Sequence, residues 1–212
     1  MSTIFVGPKH KFGKDRKGNV ALLEELSTKH GFEVRTVEPV KRFGLKISSS
    51  RIRKLLVSGD PLTAWRCLGR PYYIDGIVVD GDKRGKLLGF PTANVGHCDP
   101  RKITTAPGIY ASITEINGIR WPSVSHIGPR PTFKNAKPTV ETHIIGFKDE
   151  IYSQAIRVGL IDKLRDILTF KIPSELISQL RADLRNSAQR LAELGFGNNA
   201  RLRIQRYGKI LL

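Results

Sequence analysis

The sequence GIYASITEINGIRWPSVSH, residues 108–126, decides the fold class of this chain. It contains two runs rich in β-branched and aromatic residues, separated by Asn117 and Gly118. Asn-Gly between two such runs favours a two-residue β-hairpin, because both residues tolerate the positive φ that the turn requires. We therefore predict paired antiparallel strands at residues 108–116 and 119–126.

Further runs of the same kind lie on both sides of this hairpin, at residues 73–79, 140–147 and 155–161. Turn residues separate them and no helical period intervenes, which favours a closed or nearly closed antiparallel barrel. After Pro173 a helical period returns and ends at Gly195. Its predicted apolar face consists of Leu176, Ile177, Leu180, Leu184, Ala188 and Leu191. We expect this helix to pack on the barrel, with a free face that carries Arg181, Asp183 and Arg185.

The first third of the chain has a mixed pattern of predicted helices and a strand, typical of an α/β segment. A helix is predicted between the N-cap Asn19 and the stop at Gly31, followed by a strand at residues 32–37. Two more helices are predicted at residues 49–57 and 62–68. Such a pair is also found in helix-turn-helix DNA-binding proteins, but the second helix is short and poor in base-reading side chains. The predicted domains are residues 1–68, residues 69–195 and a basic tail at residues 196–212.

Composition limits the class of partner. The formal net charge is +17, so the chain attracts polyanions such as nucleotides, nucleic acid or acidic lipid headgroups. No stretch is apolar enough for a membrane span, and the N-terminal residues do not resemble a signal peptide. Cys67 and Cys98 belong to no metal-binding motif, so we expect reduced thiols in a cytoplasmic protein.

The densest chemical signal is GDKRGKLLGFPTAN, residues 81–94. Glycines at 81, 85 and 89 allow close approach of a ligand, and Lys83, Arg84 and Lys86 supply positive charge. The stretch is neither a Walker A loop nor a Rossmann fingerprint. A phosphate-binding loop and a solvated basic hairpin are the two interpretations of this composition.

Three residues add chemistry to the loop. Thr92 and Asn94, which follow Pro91, are hard oxygen donors of the kind that Mg²⁺ accepts. They lie two residues apart, so in an extended chain they point to the same side. Glu141 is an acid in a strand-like run and is a candidate general base for phosphoryl transfer, or else a solvent-facing strand residue.

Together these segments resemble a known family. The stretch LGRPYYIDGIVVDGDKRGKLLGFPTANV, followed by PGIYA, HIGPRPTF and VETHIIGF, resembles the riboflavin kinase module of bacterial bifunctional riboflavin kinase/FAD synthetases. Upstream, FGKDRKGNV and ISSSRIR resemble the end of the adenylyltransferase domain of the same enzymes. The resemblance implies an α+β fold: a six-stranded Greek-key barrel with a C-terminal helix, preceded by a partial α/β nucleotidyltransferase segment.

The resemblance also implies an activity, the MgATP-dependent phosphorylation of riboflavin to FMN. Thr92 and Asn94 match the residues that hold Mg²⁺ and the ATP phosphates, and Glu141 matches the base that activates the ribityl 5′-hydroxyl. The matching nucleotide-binding residues are Gly81, Lys83, Gly85, Lys86 and Pro91. No membrane partner is expected.

The sequence departs from the family in two respects. The H-x-G-H motif of the adenylyltransferase is absent from the 212 residues, so FAD synthesis is not expected. A helix N-terminus with Ser48, Ser49, Ser50, Arg51 and Arg53 remains a predicted anion site. In the kinase module, His126, Gly146, Ser153 and Ile167 replace the usual Asn, acid, Gly and Glu, and we expect them on the flavin side or in its supports. These departures favour a weak or inactive flavin- or nucleotide-binding paralogue as the first alternative. The net charge and the helix pair favour a basic nucleic-acid-binding protein as the second.

Overall fold

The structure, a computed structural model, describes residues 2–42, 44–81, 84–99, 101–103, 105–129, 139–196 and 202–203. The chain divides into two compact units, Met1–Ser48 and Ser49–Leu212. Among the described residues, no helix has the length and apolar character needed to cross a membrane.

The first unit is a small α/β arrangement. Its elements are β1 (Thr3–Val6), a 3₁₀ turn (Lys14–Arg16), α1 (Val20–His30), β2 (Glu33–Thr36), β3 (Lys41–Arg42) and β4 (Leu45–Lys46). β1 pairs with β2 in parallel, and α1 connects them. The predicted helix is confirmed: the Asn19 side chain accepts the N–H of Leu22 at 3.0 Å, and Gly31 ends the helix in the left-handed conformation. The sequence analysis missed β1, because so short a run carries no periodic pattern.

The second unit holds the remaining elements. In chain order they are α2 (Ser49–Val57), α3 (Pro61–Leu68), β5 (Tyr72–Val79), α4 (Arg84–Leu87), β6 (Ala93–Gly96), β7 (Gly108–Ile116), β8 (Ile119–Gly128), β9 (Thr139–Ile144), β10 (Ala155–Arg165), α5 (Pro173–Glu193) and β11 (Leu202–Arg203). Within the described residues, the six strands β5 to β10 close into an antiparallel barrel with the order β5-β6-β9-β8-β7-β10-β5. β7, β8 and β9 are consecutive neighbours and β6 returns beside β9, which is a Greek key. The predicted fold class is confirmed.

The central hairpin is formed as the sequence predicts. Asn117 and Gly118 have φ of 49° and 76°, as a two-residue turn with positive φ at both positions requires. The turn sets the pairing of Ile116 with Ile119, and the register continues along both strands to Gly108 and Ile127.

Helices α2 and α3 belong to the barrel unit. The side chains of Leu56 and Ala64 are fully buried, and Thr105 Oγ1 donates to the Leu56 carbonyl at 2.6 Å. α3 packs against β10 and β5. The compact units therefore divide at residue 48, whereas the sequence analysis placed the boundary at residue 68. A domain that begins at residue 69 would lack both of these packed helices.

The barrel interior contains a ring of hydroxyl groups beside its apolar core. Each hydroxyl is fully buried and contacts the next at 2.7 to 3.3 Å, so that each can donate once and accept once. In ring order the residues are Ser112, Ser123, Thr114, Thr142 and Ser125. Mutual hydrogen bonding offsets the cost of burying these polar groups.

Helix α5 packs on the barrel through polar as well as apolar contacts. Asp183 is only 2% exposed and accepts two hydrogen bonds from Arg165 on β10, at 2.8 and 2.6 Å. Ser187 Oγ donates to the Ser123 carbonyl at 3.0 Å, and Leu191 is buried one turn later. The expectation that Asp183 lies on the free face was wrong, because the acid pairs with a strand arginine that sequence spacing does not reveal. Ala188, expected on the packed face, is exposed.

Candidate active site

The register of β6 on β9 brings the predicted site residues together. Asn94 lies directly opposite Glu141, and Ala93 lies opposite Thr142. Thr142 points into the barrel, since its side chain is fully buried in the hydroxyl ring, so Glu141 lies on the outer face. Directly opposed residues have Cβ atoms about 4.5–5.5 Å apart. Thr92 lies two residues before Asn94, immediately ahead of the first residue of β6.

Two glycines let the backbone approach these side chains. A Cβ atom added to Gly81 would overlap the Asn94 amide, with Cγ at 2.6 Å, and one added to Gly85 would overlap the Phe90 carbonyl oxygen, with Oγ1 of Thr92 at 3.3 Å. Real carbon–carbon contacts are about 3.5–4.0 Å, so only glycine fits at Gly81 without displacement of Asn94. The glycines thus form a cradle against the two predicted phosphate- and metal-binding residues.

The predicted loop contains one helical turn, α4. The N–H of Phe90 donates to the Gly85 carbonyl at 2.8 Å, and Gly89 turns the chain with φ of 84°. Lys86 is exposed on this turn. Lys83, also predicted as a nucleotide-binding residue, lies outside the described residues.

A cleft of about 360 Å³ opens beside the loop. One wall is formed by Lys86, Pro91 and Thr92, and the other by residues 147–152. This second wall has an aromatic ring at each end, Phe147 and Tyr152. Between them lie the charged residues Lys148, Asp149 and Glu150. The volume lies in the range of small-ligand sites, and the lining carries two lysines, Lys86 and Lys148, and two carboxylates, Asp149 and Glu150.

His143 is a site residue that the sequence analysis did not identify. It lies two residues after Glu141, so both side chains are on the outer face of β9. Nδ1 of His143 is 2.7 Å from the Pro91 carbonyl, and its ring meets the Phe90 ring edge-on with centroids 6.2 Å apart. The period of two from Glu141 was the available sequence signal.

His126 lies directly opposite Glu141 on the other side of β9. Burial lowers the pKa of the His126 imidazole, while the charge of Glu141 raises it and that of Arg165 lowers it further. Ile167, another position that departs from the family pattern, lies close to His126. A Cβ atom added to Gly128 would lie 2.6 Å from Cδ1 of Ile167, and the His126 ring is a neighbour of the same glycine.

The other two altered positions lie elsewhere. Gly146 and Ser153 flank the segment 147–152 that lines the cleft of Thr92. Both have positive φ, 75° for Gly146 and 61° for Ser153. The altered residues thus form two groups, His126 with Ile167 and Gly146 with Ser153, and their place on the flavin side or in its supports stays a prediction.

The predicted anion site at Ser48, Ser49, Ser50, Arg51 and Arg53 lies at the start of α2, and none of these residues lines the cleft. Ser48 closes the first unit and the other four belong to the second. This anion site stays a prediction.

Two residues next to the loop suit a divalent cation with hard-oxygen preference. Thr92, which lines the cleft, offers a hydroxyl and Asn94 on β6 offers an amide oxygen, and Mg²⁺ commonly takes few protein ligands together with substrate phosphates. The cradle at Gly81 leaves the backbone close to Asn94 without a side chain in between. The residues present therefore fit Mg²⁺.

Comparison with known proteins places the chain in a family. The family model "Riboflavin kinase" matches residues 68–191, and "FAD synthetase" matches residues 1–51. The chain is 36% identical to the bifunctional riboflavin kinase/FMN adenylyltransferase of Bacillus subtilis, over 86% of this chain and 58% of that protein. Identity to the Escherichia coli K12 protein of the same name is 33%, over 85% of this chain and 57% of that protein.

A solved structure is also similar. The crystal structure of a protein from Streptococcus pneumoniae, described as a macrolide-efflux protein, superposes with a TM-score of 0.75 at 32% identity, over 85% of this chain and 58% of that one. The chain thus spans somewhat more than half the length of the relatives it matches. The resemblance inferred from the sequence is confirmed: the chain belongs to the riboflavin kinase family.

Proposed function

We propose that the barrel unit is a riboflavin kinase, which transfers the γ-phosphoryl group of ATP to the 5′-hydroxyl of riboflavin and gives FMN and ADP. The observation that carries the proposal is the β6–β9 register. It sets Glu141 opposite Asn94, two residues along β6 from Thr92, and Thr92 itself lines a cleft whose size suits a small ligand. Family membership supports the same reaction.

On the donor side, the proposed nucleotide lies in the cleft between the loop at residues 84–92 and the segment 147–152. Thr92 and Asn94 would hold Mg²⁺ together with phosphate oxygens, and Lys86 would contact the phosphates. Mg²⁺ supplies charge neutralisation at the phosphates when bound. The glycines at 81 and 85 keep this side of the cleft free of side chains that would displace Asn94 and Thr92.

On the acceptor side, Glu141 accepts the proton of the attacking hydroxyl. The new bond joins that oxygen to the γ-phosphorus, and the bond between phosphorus and the ADP oxygen breaks. A carboxylate is suited to this role because it must take up the proton only as the hydroxyl attacks.

The proposed flavin side continues from Glu141 through His126. Arg165 lies near His126 and pairs with Asp183, which also accepts a hydrogen bond from Gln179 at 2.9 Å. Gln179 lines an open depression of about 550 Å³. The other residues of this depression are Phe170, Ser174, Glu175 and Ser178. An aromatic ring beside hydrogen-bonding groups suits an isoalloxazine, so we place the acceptor there.

A binding protein with little turnover is the second candidate. It is favoured by His126, an ionisable residue that replaces the family's usual Asn directly opposite the proposed base. Such a protein would bind riboflavin and ATP and release no FMN.

Incubation of the chain with riboflavin, ATP and Mg²⁺, followed by separation of the flavins, tests the proposal. We expect FMN and ADP, and no FAD. Glu141→Gln keeps the side-chain size but cannot accept the proton, so turnover should fall by about 10²- to 10⁴-fold while ligand affinities change little. Unchanged turnover in Glu141→Gln would remove Glu141 from the mechanism. Binding of both ligands without any FMN would favour the second candidate.

A further inference from the structure

His143 connects the nucleotide loop to the barrel. Its Nδ1 atom lies 2.7 Å from the carbonyl oxygen of Pro91, 52 residues away along the chain. A carbonyl only accepts hydrogen bonds, so Nδ1 carries the proton and the ring tautomer is fixed. The ring also packs edge-on against Phe90. One side chain of β9 thus holds two consecutive residues of the loop.

The loop's own hydrogen bonds act differently. The N–H groups of Leu88 and Phe90 both donate to the Gly85 carbonyl, and Gly89 N–H donates to the Lys86 carbonyl. These bonds close the loop on itself over three to five residues and give no attachment to the barrel. A compact loop of this kind can move as a body unless a longer-range contact fixes it.

The position of the contact gives it a consequence for the site. Pro91 directly precedes Thr92, and β6 begins at Ala93. Fixing the Pro91 carbonyl sets the direction in which the chain enters β6, and with it the position of the Thr92 hydroxyl. Gly85 packs near that hydroxyl, so a loop that shifts also removes one wall of the cradle.

We propose that His143 is a positioning residue that holds the loop of residues 84–91 in its nucleotide-binding position through the Nδ1–Pro91 hydrogen bond. The proposal deepens the proposed kinase function and rests on it for the identity of the ligand. It does not make His143 a catalytic residue, because the side chain acts through Pro91 and Thr92.

Two substitutions in the full chain separate the hydrogen bond from the ring. His143→Asn places an amide N–H where Nδ1 lies, so it keeps the donor and loses the aromatic contact. His143→Phe keeps a ring against Phe90 and loses the donor. In His143→Phe we expect the KM for ATP to rise about tenfold, as expected for loss of a ligand-positioning hydrogen bond, with the KM for riboflavin unchanged. His143→Asn should remain within about twofold of the wild type.

Amide hydrogen exchange gives a readout that does not require turnover. The amides of residues 86–90 should exchange faster in His143→Phe than in the wild type and at the wild-type rate in His143→Asn, while the β7–β8 hairpin stays protected in all three proteins. A wild-type exchange rate and a wild-type KM for ATP in His143→Phe would overturn the proposal. Equally faster exchange and an equally raised KM in both variants, with the hairpin still protected, would overturn it as well. If the wild type made no FMN, the kinase proposal would fail, but the exchange comparison would still decide the role of His143.

Discussion

Replacing Gly81 with alanine tests the proposed cradle with a single methyl group. Gly81 does not have a positive φ, so alanine is allowed there by the backbone. The added Cβ would lie 2.6 Å from Cγ of Asn94, and a comfortable carbon–carbon contact is about 3.5 Å. The Nδ2 atom of Asn94 is nearer still to the added Cβ, so the Asn94 side chain must retreat by at least about 1 Å.

A displacement of that size matters for transfer chemistry. Misplacement of a positioning group by about 1 Å can cost about 10²-fold in rate. We therefore expect kcat/KM for ATP to fall by about 10²-fold in Gly81→Ala with the fold preserved. Gly7→Ala is the matched control, since a Cβ atom at Gly7 meets no atom within 4 Å among the described residues.

A double-mutant cycle with Asn94 identifies the route of the effect. Asn94→Ala alone should lower the rate by about 10²- to 10³-fold. Gly81→Ala should add nothing further in the Asn94→Ala background, because no amide remains to be displaced. Steady-state kinetics on the four proteins and the control measures the cycle. Near wild-type turnover in Gly81→Ala, or a loss in the double variant equal to the product of the single losses, would refute the reasoning.

Three further predictions concern stability and pH. Ser153 has φ of 61°, a left-handed conformation that strains a residue with a Cβ atom. Ser153→Gly should therefore raise the free energy of unfolding by about 0.5–1 kcal/mol in a urea titration, and a decrease would show that the residue is not strained. Asp183→Ala leaves Arg165 without its buried partner and should cost about 3 kcal/mol in the same assay, whereas a cost below about 1 kcal/mol would show that the pair is dispensable. Because the pKa of His126 is lowered by burial in the folded state, the unfolded chain binds more protons and stability should fall as the pH drops below about 6.5. His126→Asn should weaken this pH dependence. If the free energies of unfolding of the variant and the wild type differed by a constant amount between about pH 5 and 8, His126 would not be the cause of the pH dependence.

Local structure was predictable wherever it depends on hydrogen bonds and backbone conformations of residues that are close together in the chain. The helix predicted at residues 62–68 is present as α3: Asp60 accepts the N–H of Thr63 at its start, and Gly69 ends it with φ of 72°. The same holds for the hairpin turn at Asn117 and Gly118. Caps and tight turns depend on a few consecutive residues, so their signals are complete in the sequence.

Elements that depend on distant partners were missed or misplaced. β6 is only four residues long and was not identified as a separate strand, because it gains its hydrogen bonds from β5 and β9 rather than from a pattern of its own. The predicted boundary after Leu68 coincides with the start of the riboflavin kinase match at residue 68, whereas α2 and α3 pack in the barrel unit, and apolar spacing alone cannot assign helices to a neighbour.

For the site, residue type alone left open whether residues 81–94 form a phosphate-binding loop or a solvated hairpin and whether Glu141 is a base or a surface acid, and the resemblance to a known family favoured the first interpretation of each. Only the tertiary structure placed Asn94 opposite Glu141, His126 on the other side of the same acid, and His143 on the Pro91 carbonyl. It also decided that the polar hydroxyl ring lies inside the barrel. Strand register and barrel closure are set by pairings between residues far apart in the chain, and a buried polar group is stable only where such a pairing brings its partner.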